Sequence, residues 1–219
     1  MRVLYLFDID GTLLHAHRSG RDAFDAVFAE LHGIVDASEG IRYGGKTDPG
    51  IIEEIFVARL GRRPRTEEIA AFLDAYLPRL HAILARTGVE VLGGVVDTLA
   101  YLAPRAVMGV ATGNIKAGAH AKLTAAQLHT WFDFGGFGCD SHLRAELVAK
   151  AIERGRERAE VDEVIVVGDT IYDIAAARAC GAKVVAVATG SDPAHRLADA
   201  DVVLTSMSEL PAWHDTRAR

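Results

Sequence analysis

The chain has 219 residues, half of them hydrophobic and a quarter charged, a mixture that can bury one large core or a core with a smaller insertion. Its net charge of −6 and pI near 5.8 leave no basic footprint for nucleic acid. No apolar run approaches the roughly 20 residues of a membrane span.

Cys139 and Cys180 lie far apart and make no metal-spacing motif, so two reduced structural thiols are expected. Asp8 and Asp10 interrupt the apolar start and leave no signal-peptide core, which makes the cytoplasm the expected location.

The first element is Val3-Leu4-Tyr5-Leu6, an apolar, β-favouring run that reads as a buried strand. It closes in Phe7-Asp8-Ile9-Asp10-Gly11-Thr12, where Gly11 can turn the backbone. Asp8 and Asp10 are two apart, so both side chains of an ideal strand project to one face. Like charges that close are unfavourable unless a cation or a shared proton offsets them. The pair suits a metal, a carboxylate nucleophile or an acid/base pair; the plain alternative is a solvated acidic turn.

Residues 18 to 32 place Phe24, Val27, Phe28 and Leu31 at helical spacing. His15 and His17 precede that helix and read as surface groups rather than entrance residues of a site. A glycine-rich loop follows, and Thr47-Asp48-Pro49 opens a second helix, with a capping residue ahead of a first-turn proline. Its apolar face is Ile51, Ile52, Ile55, Phe56 and Leu60. Arg62, Arg63 and Arg65 form a solvated corner before a third helix to about residue 85, in which Phe72, Tyr76, Leu80 and Leu84 keep the helical period. Residues 15 to 90 thus read as a helical block with no strand.

Strand and helix then alternate. A helix over 95–102 leads to a strand over 107–111 that ends at Thr112-Gly113-Asn114, and a helix over 116–128 follows. An aromatic strand or loop at 131–135 and a helix over 145–158 come next. A strand over 164–167 ends at Gly168-Asp169-Thr170, a helix over 171–180 is closed by Gly181, and strands at 184–187 and 202–204 complete the pattern. The predicted fold class is α/β, a Rossmann-like parallel sheet flanked by helices, with an inserted all-helical segment.

Three of these strands end in polar turns, and in a parallel sheet such ends share one edge. Asp173 follows Asp169 by four and turns back toward the same rim. Oxygen-only ligands of this kind suit Mg²⁺, and the amides near Gly113 and Asn114 open a helix N-terminus that suits a phosphate.

These motifs resemble the haloacid dehalogenase superfamily, of the phosphoglycolate-phosphatase-like kind. The first motif of that family matches Asp8 to Thr12, the second matches Thr112, and the fourth matches Gly168, Asp169 and Asp173. The resemblance implies a core of residues 1–14 and 91–219 with a helical cap of residues 15–90. It further implies an Mg²⁺-dependent phosphatase acting on a small phosphorylated metabolite. Asp8 would be the nucleophile and Asp10 the general acid/base. Asp8, the Asp10 carbonyl and Asp169 would hold the metal, with Asp173 acting directly or through water. Thr112, Gly113 and Asn114 would bind the phosphoryl oxygens.

The third motif, a basic residue, matches less closely. Arg144 stands at the loop-to-helix junction where it belongs, Lys150 lies farther into the helix, and Lys122 comes too early. Asp140 and Glu146 are the competing ion-pair partners of Arg144. Lys46, in Gly44-Gly45-Lys46-Thr47-Asp48, is the candidate cap residue for a second anionic group of the substrate. Phosphoglycolate is the substrate the resemblance suggests. A phosphomutase is the enzymatic rival, and a phospho-accepting or Mg²⁺-binding module without turnover is the remaining alternative.

Overall fold

A computed structural model describes residues 2–217. Its centre is strand β1 (Val3–Phe7), every residue of which is buried. Alternate side chains go to opposite faces: Val3, Tyr5 and Phe7 join one apolar cluster, and Leu4 and Leu6 join the other. Burial on both faces is what a near-continuous apolar strand demands in a parallel sheet.

β1 continues into a two-residue strand β2 (Leu14–His15) and helices α1 (Ser19–His32), α2 (Asp48–Leu60) and α3 (Thr66–Thr87). The chain returns through β3 (Glu90–Val91), which pairs antiparallel with β2. The block from 15 to 90 is therefore not free of strand, because this short ladder ties its two ends together. Single-residue periodicity cannot reveal a ladder of two residues.

The remaining elements are α4 (Val95–Leu102), β4 (Ala106–Ala111), α5 (Lys116–Ala125), β5 (Gly135–Gly136), α6 (Arg144–Arg156), β6 (Glu163–Gly168), α7 (Ile171–Ala179), β7 (Lys183–Val187), β8 (Val202–Leu204) and α8 (Leu210–Arg217). The main sheet is parallel with order β5-β4-β1-β6-β7-β8. The aromatic stretch expected at 131–135 becomes a 3₁₀ turn at His129–Trp131 before β5. Helix α5 stops three residues short of the expected 128, and α6 begins and ends one to two residues earlier than expected.

The apolar faces of α1 to α3 meet in a cluster of rings. Phe24 packs edge-on against Tyr76 at 4.8 Å and Phe72 at 5.1 Å, and Phe28 against Phe56 at 5.3 Å. Leu31, expected on that face, is instead 43 % exposed, while His32 at the end of α1 packs edge-on against Phe56 at 5.0 Å. Thr47 caps α2 by accepting from the Gly50 amide. Arg62 and Arg65 both pair with Glu68 at the exposed corner before α3, and Arg63 with Glu53. No helix among the described residues is long and apolar enough to cross a membrane.

Candidate active site

The register of the sheet places the site. Phe7 lies level with Val110 of β4 and Val167 of β6. The residues just beyond, Asp8, Thr112 and Asp169, therefore leave the sheet at one edge. They face a cavity of about 380 Å³, of a size for a small molecule, roofed by residues of α1 to α3.

Asp8, Asp169 and Asp173 are all buried, and a carboxylate oxygen of each lies within 4.8 Å of one from the others. Burial is the main force raising the Asp8 and Asp169 pKa values, and mutual repulsion within the cluster adds to it. Gly11, with φ of +82°, lets the backbone turn against Asp169: a Cβ there would stand 2.7 Å from Oδ2. Thr12 Oγ1 and the Ser191 amide donate to Asp169 at 3.4 and 2.6 Å.

Arg144 opens α6 and reaches into the same cluster. Its Nη2 is 3.0 Å from Asp8 Oδ2 and 2.6 Å from Asp173 Oδ1, and Nε donates to Asp173 Oδ1 at 2.9 Å. Burial works to lower the Arg144 pKa, but Asp173 and Asp8 overcome it and hold it above the ordinary value. The alternatives weighed for Arg144 are engaged elsewhere: Asp140 pairs with Arg154, and Glu146 accepts from Ser141. Lys150 is on the surface with Glu153. The second oxygen of Asp173 closes a capping box with the Thr170 amide and hydroxyl, so both oxygens are held.

Asp10 lies apart from that cluster. Its Oδ2 accepts from Asn114 Nδ2 at 2.8 Å and Lys122 Nζ at 2.6 Å, and Lys122 also donates to Asn114 Oδ1 at 2.7 Å. Lys122, set aside in the sequence as too early for the basic motif, is thus a buried partner of Asp10. Only the turn of α5 brings it there, and no local motif marks it. Thr112 Oγ1 accepts from the side chain and backbone amide of Asn114 at 2.8 and 3.3 Å.

Two of the amides at the opening of α5 have partners within the protein. The Asn114 amide is turned to Thr112, and the Ile115 amide is taken by the buried carboxylate of Asp48 at 2.8 Å. Burial raises the Asp48 pKa to about 6. Lys46 lines the cavity, but its ammonium is paired with Glu54. His15 and His17, read as surface groups, also line the cavity.

Two carboxylates from one strand end, held in unlike surroundings beside further buried acids, mark the candidate site of this α/β protein at one edge of its parallel sheet. The haloacid dehalogenase-like hydrolase family model matches residues 5–187, and the chain belongs to that family of hydrolases. It is 27 % identical over 216 residues to the "probable phosphatase IndB" of Dickeya dadantii (strain 3937), covering 96 % of this chain and 92 % of that protein.

Its fold is similar to that of CbbY from Rhodobacter sphaeroides in complex with phosphate, at 22 % identity and a TM-score of 0.77 over 96 % of both chains. A hydrolase from Pseudomonas syringae is similar along the whole of both chains, at 20 % identity and a TM-score of 0.72.

Proposed function

We propose that the protein is an Mg²⁺-dependent phosphatase that hydrolyses a small phosphomonoester through an aspartyl-phosphate on Asp8. The observation that carries this reading is the unlike setting of two carboxylates at one strand end. Asp8 lies against Arg144 in the acidic cluster, whereas Asp10 lies 2.6 Å from Lys122 and outside it. Such a separation of environments assigns different roles to paired acids.

The residues suit a divalent cation. Three buried carboxylates face one arginine, so the cluster holds more negative than positive charge, and its donors are oxygens that match Mg²⁺. Asp8, Asp169 and the Asp10 carbonyl would hold the ion, with Asp173 acting directly or through water. When bound, the ion neutralises charge on the phosphoryl group.

An Asp8 carboxylate oxygen attacks phosphorus and forms the new P–O bond. The ester P–O bond breaks, its electron pair stays on the alcohol oxygen, and Asp10 gives that oxygen a proton. Asp10 then takes a proton from water as the water oxygen attacks phosphorus. The bond to Asp8 breaks and inorganic phosphate leaves. Arg144 balances charge on Asp8 and the phosphoryl oxygens, and the Thr112 hydroxyl, which already accepts from Asn114, donates to one of them. Lys122 and Asn114 hold Asp10 in place. Residues 15–90 form the cap that closes over residues 1–14 and 91–219, with Lys46 among its substrate-facing residues.

The test is phosphate release from a panel of small phosphomonoesters, phosphoglycolate among them, with Mg²⁺ and then with EDTA, using Asp8→Asn as the control. Metal-dependent, multiple-turnover release is expected. Full activity in Asp8→Asn would remove Asp8 as nucleophile, and an isomeric sugar phosphate without net release would mark a phosphomutase.

A further inference from the structure

Tyr76 of α3 is fully buried, lines the cavity, and its hydroxyl has no hydrogen-bond partner among the described residues. An orphaned hydroxyl of this kind is costly to a fold and is rare without a purpose. Burial holds its pKa well above the ordinary phenol value, so it is a neutral group that can both donate and accept.

The space beside it is kept open by Gly20, in the first turn of α1. A Cβ at that position would stand 3.8 Å from Tyr76 Oη and 3.9 Å from Lys122 Nζ, both ordinary contact distances. Alanine would therefore fit, so packing does not explain the glycine. Lys122 has three N–H donors, and Asp10 and Asn114 take two of them.

The charges around this corner select what can enter it. Asp48 and Asp10 both act on Tyr76 and flank Lys122, which disfavours a further anion. Of the cations lining the cavity, Lys46 is paired with Glu54 and Arg18 with Asp22, and Arg21 is tied to the carbonyls of Ser38 and Ile41.

We propose that the corner between Gly20, Tyr76 and Lys122 binds an uncharged oxygen on the alcohol part of the substrate. The enzyme then prefers phosphate esters of neutral, hydroxylated alcohols over esters bearing a carboxylate such as phosphoglycolate. This rests on the phosphatase reading, with Asp10 at the leaving oxygen. An oxygen one or two carbons farther along the alcohol would lie toward the corner, because Lys122 Nζ, 2.6 Å from Asp10 Oδ2, also stands 3.9 Å from where a Gly20 Cβ would be.

The experiment compares kcat/KM for ethyl phosphate, 2-hydroxyethyl phosphate, phosphoglycolate and p-nitrophenyl phosphate in the wild type, Tyr76→Phe and Gly20→Ala. Wild type should favour 2-hydroxyethyl over ethyl phosphate by about tenfold, the value of one well-placed hydrogen bond. It should turn over phosphoglycolate more slowly than 2-hydroxyethyl phosphate. Tyr76→Phe and Gly20→Ala should each bring the hydroxyethyl-to-ethyl ratio to within about twofold of unity.

A Tm of Tyr76→Phe at or above that of wild type, without substrate, shows that the ring still packs and that only the orphaned hydroxyl is gone. A preference that survives both substitutions, or phosphoglycolate as the best substrate, overturns the proposal. Absence of hydrolysis of all four esters would instead overturn the phosphatase reading, and the subsite with it.

Discussion

Lys122 Nζ lies 2.6 Å from Asp10 Oδ2 although the two residues are 112 positions apart in the chain. The contact gives Asp10 a fixed orientation and a positive neighbour, while Asp8, two residues away, faces Arg144 instead. Lys122→Met should therefore slow esters with poor leaving groups most. Hydrolysis of an alkyl phosphate is expected to fall about 10²-fold, and that of p-nitrophenyl phosphate by less than about tenfold, since the latter needs little protonation. Equal losses for both esters would mean that Lys122 acts on something other than the acid.

Among the described residues Arg144 is the one cation paired with Asp8 and Asp173, so its removal leaves buried carboxylates without compensation. Arg144→Ala is expected to lower stability by about 3 kcal/mol in denaturant titrations and phosphate release by at least about 10²-fold. Lys150→Ala should change stability by less than about 0.5 kcal/mol, because that side chain shares only a surface ion pair with Glu153. A collapse of turnover in Lys150→Ala alone would reverse the assignment.

Three buried carboxylates within 4.8 Å of one another should make Mg²⁺ a stabilising ligand. At 100 times its Kd the ion should add about 2.7 kcal/mol, visible as a rise in Tm that EDTA reverses. Asp169→Asn should abolish most of that rise and, by removing one of the repelling charges, raise the Tm of the metal-free protein. A metal-induced shift unchanged in Asp169→Asn would place the ion elsewhere.

Asp48 supplies a pH dependence whose sign follows from its burial. Its pKa rises from 3.8 to about 6 on folding, so the native state holds the proton more tightly than the unfolded chain. Stability is favoured below about pH 4 and is lost as the pH climbs to about 6, by an amount on the order of 3 kcal/mol. Asp48→Asn, which can still accept from the Ile115 amide, should be more stable than wild type at pH 7.5. The advantage should vanish near pH 4, and a variant less stable than wild type at pH 7.5 would show that the attraction of Lys122 outweighs burial.

The sequence alone determined the sheet and the acidic strand ends. Val3 to Phe7 had to be a strand buried on both faces, and the turns at Asp8–Thr12, Thr112–Asn114 and Gly168–Thr170 had to share an edge, because parallel strands end together. Local patterns carried most of that information, although β5 at Gly135–Gly136 was not marked as a strand of its own. The same is true of the three helices between the first two of those turns, whose apolar spacing reads directly.

Tertiary structure decided which charges meet. Lys122 reaches Asp10 because α5 follows β4, the strand beside β1, Asp48 takes the amide at the start of α5 from another helix, and Glu54 neutralises Lys46. The ladder between Leu14–His15 and Glu90–Val91 likewise exists only once both chain segments come together. Such contacts leave no periodic trace, since a charged side chain's partner depends on distance in space while the sequence records only distance along the chain.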